Sequence, residues 1–156
     1  MTKAQLLEKF IDNLSLPNFQ GAEFTPYWSK VRNGQKNLVP PDSLWLNVVP
    51  TLVVIQRLRT ELGVPISINS SYRSPAYNMA IGGAAASFHI KFMAIDFHCK
   101  SGTAQDWGQK LKSYRGDQFD LPGVHGSFAF YGGIGIYPTQ NFVHLDTRGS
   151  DADWLE

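Results

Sequence analysis

Cysteine is almost absent: Cys99 is the only one in the chain. That excludes an intrachain disulfide framework and any zinc site built from several cysteines. Net charge is also nearly absent. Fourteen Lys and Arg face thirteen Asp and Glu, for a formal charge of +1. Such a balance does not support phosphate-backbone binding, so no nucleic-acid partner is expected. Long apolar runs are missing too. No segment approaches the ~20 residues of a membrane-spanning helix, and no membrane partner is expected. The stretch Met1 to Phe10 is broken by charges and lacks the apolar core of a secretory signal. The expectation is a protein that is cytoplasmic as made, or one that leaves by a separate route.

What is present suits a packed domain. Of the 156 residues, 43% are apolar and 13% aromatic, enough for one core and against disorder. The reading is a single domain, 1–156, with 1–41 forming an N-terminal helix and a packed arm. Thr2 can cap that helix, and Leu6, Leu7, Phe10, Ile11 and Leu14 recur at helical spacing up to Pro17. Residues 18–41 are irregular but carry Phe24, Tyr27 and Trp28, and Asn33-Gly34 marks a turn. Leu44 to Leu62 reads as helical, with Pro50 implying a kink or a short helix before a longer one.

Residues 65–69 alternate like a strand, Ser74-Pro75 opens a short helix, and Phe92 to His98 reads as a strand. Thr103 and Asp106 can cap a helix from Ala104 to about Tyr114. Residues 116–126 read as a loop, and 134–137 with 142–146 as a hairpin. This order predicts the α+β class, a small antiparallel sheet flanked by helices.

Four histidines and several aspartates are left to carry chemistry. On a strand, residues i and i+2 share a face. Asp96 and His98 therefore point one way, as do His144 and Asp146, with apolar residues between them. If the two strands are neighbours, these groups converge, and His89 can fold back over Asp96. Two imidazoles and a carboxylate suit zinc and leave a position for water. A plain solvated strand face is the alternative reading of the same spacing.

Ser70-Ser71-Tyr72-Arg73-Ser74-Pro75-Ala76-Tyr77-Asn78 resembles the signature of zinc D-alanyl-D-alanine carboxypeptidases and related murein endopeptidases. Ser87-x-His89 followed by Ala94-x-Asp96 is similar to the family's second motif. Gly132 to Pro138, followed by Phe142 to Gly149, resembles the ending of one phage and bacterial branch. The likeness runs from about Phe24 to Arg148. It implies the hedgehog-type fold and about one Zn2+ per chain, held by His89, Asp96 and His144. It implies Arg73 for substrate and oxyanion contact, and Ser87 for holding the substrate peptide. A monomer acting on peptidoglycan stem peptides is expected, as carboxypeptidase or endopeptidase, with a route to the cell wall like that of a phage lysin.

Two positions depart from the family pattern. Phe92 stands where glycine is usual, three residues after His89. Asn141 stands where many members have a catalytic glutamate, three residues before His144. An amide cannot act as a carboxylate base, so Asp146 becomes the expected catalytic base, with pairing to Arg148 as its structural alternative. The competing function is a non-catalytic zinc-binding member of the fold that holds cell-wall peptide or a protein partner.

Overall fold

The computed structural model describes residues 1–156. Helix α1 (Lys3–Asp12) starts at a capping box: the Thr2 hydroxyl accepts from Gln5 N at 3.2 Å, and the Gln5 side chain accepts from Thr2 N at 2.8 Å. The arm follows as two 3-10 turns, Gly21–Glu23 and Thr25–Tyr27, and a hairpin of β1 (Val31–Arg32) and β2 (Gln35–Lys36). Its turn residues Asn33 and Gly34 both have positive φ, the left-handed pair for which Asn-Gly is suited. Phe19, Phe24 and Trp28 from the arm are buried with Leu7 and Ile11 of α1 in the main core.

A 3-10 turn over Asp42–Asn47 runs directly into α2 (Val48–Leu62). Pro50 lies in the first turn of α2, where a missing N–H forfeits no helical bond. Of the two expected arrangements, the short helix before a longer one is the one observed. Gly63, at φ +67°, closes α2. Then come β3 (Ile66–Ser70), α3 (Pro75–Ala80), β4 (Ala94–Cys99), α4 (Ala104–Lys112), β5 (Gln118–Asp120), β6 (Ser127–Ala129), β7 (Gly133–Tyr137), β8 (Phe142–Asp146) and β9 (Ala152–Leu155).

The main sheet has the order β3-β4-β8-β7-β9. Its first four strands are antiparallel, as expected, while β9 joins the edge parallel to β7. Two features differ from the sequence reading. Residues 116–126 are not all loop, because β5 pairs with β6 and stacks Phe119 on Phe128 at 5.6 Å. The second is β9 itself, whose four residues are too short and too exposed to show a periodic pattern.

One face of the sheet presents Ile95, Phe97, Ile134, Ile136, Val143 and Leu145 to the core, all buried against α2 and α4. Each such burial stabilises by about 1.5–3 kcal/mol. The other face carries the polar residues. Register places Asp96 opposite His144, His144 opposite Gly135, and Gly135 opposite Trp154, a single row across four strands. No helix is long and apolar enough to cross a membrane.

Candidate metal centre

The centre is built on the row through Asp96 and His144, with His89 brought over it by the turn before β4. That turn is closed by Met93 N donating to Phe88 O at 3.1 Å and Phe92 N donating to His89 O at 3.2 Å. Phe92 takes φ +52°, a left-handed conformation in which glycine is the unstrained choice. Its ring is fully buried and packs edge-on to Tyr72 at 6.1 Å. The aromatic at this position therefore enters the core and leaves the cleft unnarrowed. Helix α2 and the 3-10 turn before it pin this turn: Thr51 Oγ1 donates to Met93 O at 2.8 Å, and Asn47 Nδ2 to Lys91 O at 2.9 Å.

The ligand-type atoms of His89, Asp96 and His144 lie within 4.8 Å of one another, and all three residues are buried. His89 Nε2 is 3.1 Å and His144 Nδ1 is 3.0 Å from the same oxygen, Asp96 Oδ1. The far nitrogens are fixed by other partners. His89 Nδ1 sits 2.5 Å from Ser71 O and must donate to it. His144 Nε2 sits 2.8 Å from Asp146 Oδ2 and donates there. In its neutral form each imidazole is thus held in the tautomer that turns its lone pair inward, as a metal ligand requires. By this donor chemistry the residues fit a divalent metal of the zinc type.

Burial alone would raise the Asp96 pKa, but the two flanking histidines outweigh it and hold the carboxyl well below the usual range. His89 is pushed down by burial. Burial also opposes the charged form of His144, yet the hydrogen bonds to Asp146 and Asp96 win and raise it to about 9 in the metal-free protein.

Asp146 does not line the cleft, and its partners are those of the structural alternative, pairing with Arg148. It is completely buried. Its Oδ1 accepts from Gly133 N at 3.0 Å, Arg148 N at 3.2 Å and Arg148 Nε at 2.9 Å. Its Oδ2 accepts from His144 Nε2 and from Arg148 Nη2 at 2.7 Å. Both oxygens are committed, and no reacting water can approach either.

Asn141 is also placed elsewhere. Its φ is +54° at the β7–β8 turn, and its Oδ1 accepts from Ala104 N at 2.8 Å, so it helps cap α4. His98 is exposed at the solvent end of β4, with Nδ1 2.6 Å from Asn69 Oδ1. His125 is exposed at the tip of the β5–β6 hairpin.

The centre opens into a cleft of about 540 Å³. Arg73 and Ser87 line it. The Arg73 guanidinium reaches Asp96 Oδ2 at 3.2 Å and Ser70 Oγ at 3.3 Å, contacts long enough to leave it donors for a ligand. Ser87 Oγ accepts from His89 N at 3.2 Å. Asn37 of the arm holds the loop under Arg73. Its Nδ2 donates to Tyr27 O and Tyr72 O, and its Oδ1 accepts from Ser74 N, each bond within 2.8–2.9 Å.

Several cleft residues were not singled out by sequence. Tyr137, Trp154 and Glu156 line it, beside Arg148. The signal that could have found this wall is Gly133-x-Gly135-x-Tyr137: two glycines on the site face of β7 leave room that other side chains must fill. A Cβ on Gly135 would lie 2.3 Å from the Trp154 ring, and one on Gly133 would lie 2.4 Å from Asp146 Oδ2.

A mixed sheet flanked by helices, with a His–Asp–His centre at the foot of an open cleft, defines a metallopeptidase-type protein. The family model for Peptidase M15 matches residues 17–146, and the chain belongs to that family. It is similar to the peptidoglycan L,D-endopeptidase MepK of Escherichia coli, 32% identical over 100 residues, covering 60% of this chain and 47% of the relative. It is also similar to the probable peptidoglycan L,D-endopeptidase MepK of Haemophilus influenzae, 32% identical over 98 residues, covering 58% and 45%. The chain thus spans about half the length of these curated relatives.

Proposed function

We propose that this chain is a zinc-dependent peptidase that hydrolyses peptidoglycan stem peptides. The observation that carries the reading is the pair of imidazoles whose outer nitrogens are tied to Ser71 O and Asp146, so that both inner nitrogens converge on Asp96 beneath the cleft. His89, Asp96 and His144 would hold the metal. Bound there, it supplies Lewis-acid polarisation of the scissile carbonyl and a water acidified to about pKa 7.

The chain's own residues do the rest. Arg73 binds substrate and stabilises negative charge developing on the carbonyl oxygen. Ser87 holds the substrate peptide at the lip of the cleft. Asp146 orients His144 and takes no proton from water. Glu156 lines the cleft free of any ion pair, so it replaces Asp146 in our assignment as proton acceptor. The L,D-endopeptidase names of the relatives favour cleavage within cross-linked peptides over carboxypeptidase action.

The test is metal analysis coupled to muropeptide digestion. About one zinc per chain is expected, lost in His89→Ala, with cleavage abolished by chelator and restored by zinc. Cross-linked dimers should be cut in preference to monomers. Glu156→Gln should lower turnover and keep zinc. The second reading, a non-catalytic zinc protein that binds cell-wall peptide, draws on the commitment of Asn141 to α4 and Asp146 to Arg148. It predicts bound muropeptide and no cleavage.

A further inference from the structure

We infer that Tyr137 is a catalytic hydrogen-bond donor to the carbonyl oxygen under attack, held in place by Trp154. The inference rests on the peptidase reading above.

Register sets its direction. Tyr137 is on the site face of β7, two residues beyond Gly135, which is opposite His144. Gly135 and Gly133 present no side chain on that face, so Tyr137 is the side chain that β7 offers to the cleft. Its ring stacks on Phe142 at 4.2 Å and 9°, which fixes the plane. The hydroxyl is fixed by a second contact: Trp154 Nε1 donates to Tyr137 Oη at 2.9 Å. An indole N–H can only donate, so the phenol is the acceptor in this bond and its own proton is free. That proton has no protein acceptor among the hydrogen bonds of the chain, and Tyr137 lines the cleft.

Trp154 could not sit there without Gly135, since any Cβ would enter the indole ring. The indole also packs against the His144 ring at 5.0 Å. One side chain thus touches both a proposed ligand and the proposed donor, which relates the phenol to the centre by a rigid wall. An O–H preset toward developing negative charge stabilises it without reorganisation. Tyr137 keeps its proton throughout: water adds to the carbonyl carbon, the C–N bond breaks, and the proton released by water goes to the leaving amine.

Tyr137→Phe removes only the hydroxyl and preserves the stack on Phe142. The expected result is a fall in kcat on purified cross-linked muropeptides of about 10²–10³-fold, with KM changed less than about threefold. Zinc content should be unchanged. Affinity for a stem-peptide phosphinate, whose tetrahedral anion imitates the charged oxygen, should fall by a similar factor. Trp154→Phe, which keeps an aromatic wall but loses the N–H, should lose about tenfold in kcat. In ¹⁵N-labelled protein, the indole N–H resonance of Trp154 should shift in Tyr137→Phe. If the wild type cleaves muropeptides and Tyr137→Phe matches it in kcat and phosphinate affinity, the Tyr137 role is wrong and the peptidase reading stands. If zinc-loaded wild type neither cleaves muropeptides nor binds the phosphinate, both fall together.

Discussion

At the scale of single residues, the site depends on which nitrogen of each histidine is occupied. Asp146 decides this for His144. Asp146→Asn should weaken zinc affinity about 10–100-fold, measured by competition with a chelating dye. A catalytic base at this position would instead lose turnover and keep its metal. Phe92 makes an opposite demand. Phe92→Gly would relieve the left-handed backbone yet empty a fully buried aromatic position. The core loss outweighs the strain, because Phe truncation costs about 3–5 kcal/mol and such strain about 1–3 kcal/mol. Denaturant unfolding should show a less stable protein of normal specific activity per zinc.

Strand alternation placed Asp96 on one face of its strand and His144 on one face of another, but it equally offered His98, and His89, which sits in a turn, joined them only through the family resemblance. The shared direction of His144 and Asp146 was legible from the same alternation. The depth of Asp146 was not, since burial depends on Arg148 and Gly133 closing over it.

At the scale of elements, the β7–β8 turn shows how a position usual for catalysis can be given to structure. Asn141 supplies a left-handed turn residue and a bond to the first residue of α4. Asn141→Gly keeps the conformation and removes the bond. Stability should fall by about 0.5–2 kcal/mol, seen as a lower Tm, with kcat unchanged. Gly135→Ala should do the reverse. It drives the Trp154 ring off β7, so turnover should fall while the core face stays intact, read by kcat beside near-UV circular dichroism.

Helices were the readable elements, because Thr2, Ser74 and Thr103 announce starts and Gly63 a stop. The strands β5, β6 and β9 were hidden for a common reason. At three or four residues they show no period, and tertiary pairing alone defines them. With β9 went Trp154 and, one residue past it, Glu156, two cleft-lining residues that were invisible before the sheet was assembled.

At the scale of the molecule, metal, protons and fold are linked. In the metal-free protein the raised pKa of His144, about 9, means its charged form stabilises the fold. That stability is complete below the unfolded value near 6.5 and is lost as pH rises through about 9. His89 acts in the opposite sense, since burial lowers its pKa and acidification below about 6.5 works against the folded state. Chelator-treated protein should therefore be most stable near pH 6.5 and lose on the order of 1–3 kcal/mol by pH 9.5, measured by denaturant titration. Metal uptake must displace the His144 proton, so apparent zinc affinity should fall about tenfold for each pH unit below about 9.

The arm belongs to this scale too. Through Asn37 it holds the loop bearing Ser71 and Arg73, so the arm supports the centre through that loop. The central claim is hydrolysis of peptidoglycan peptides at the His89–Asp96–His144 centre. Its most direct test is mass spectrometry of purified cross-linked muropeptides after incubation with zinc-loaded protein, beside His89→Ala. The account predicts fragments that together weigh one water more than the parent and carry a new amine, absent with His89→Ala. Intact muropeptides with a fully zinc-loaded wild type would contradict it.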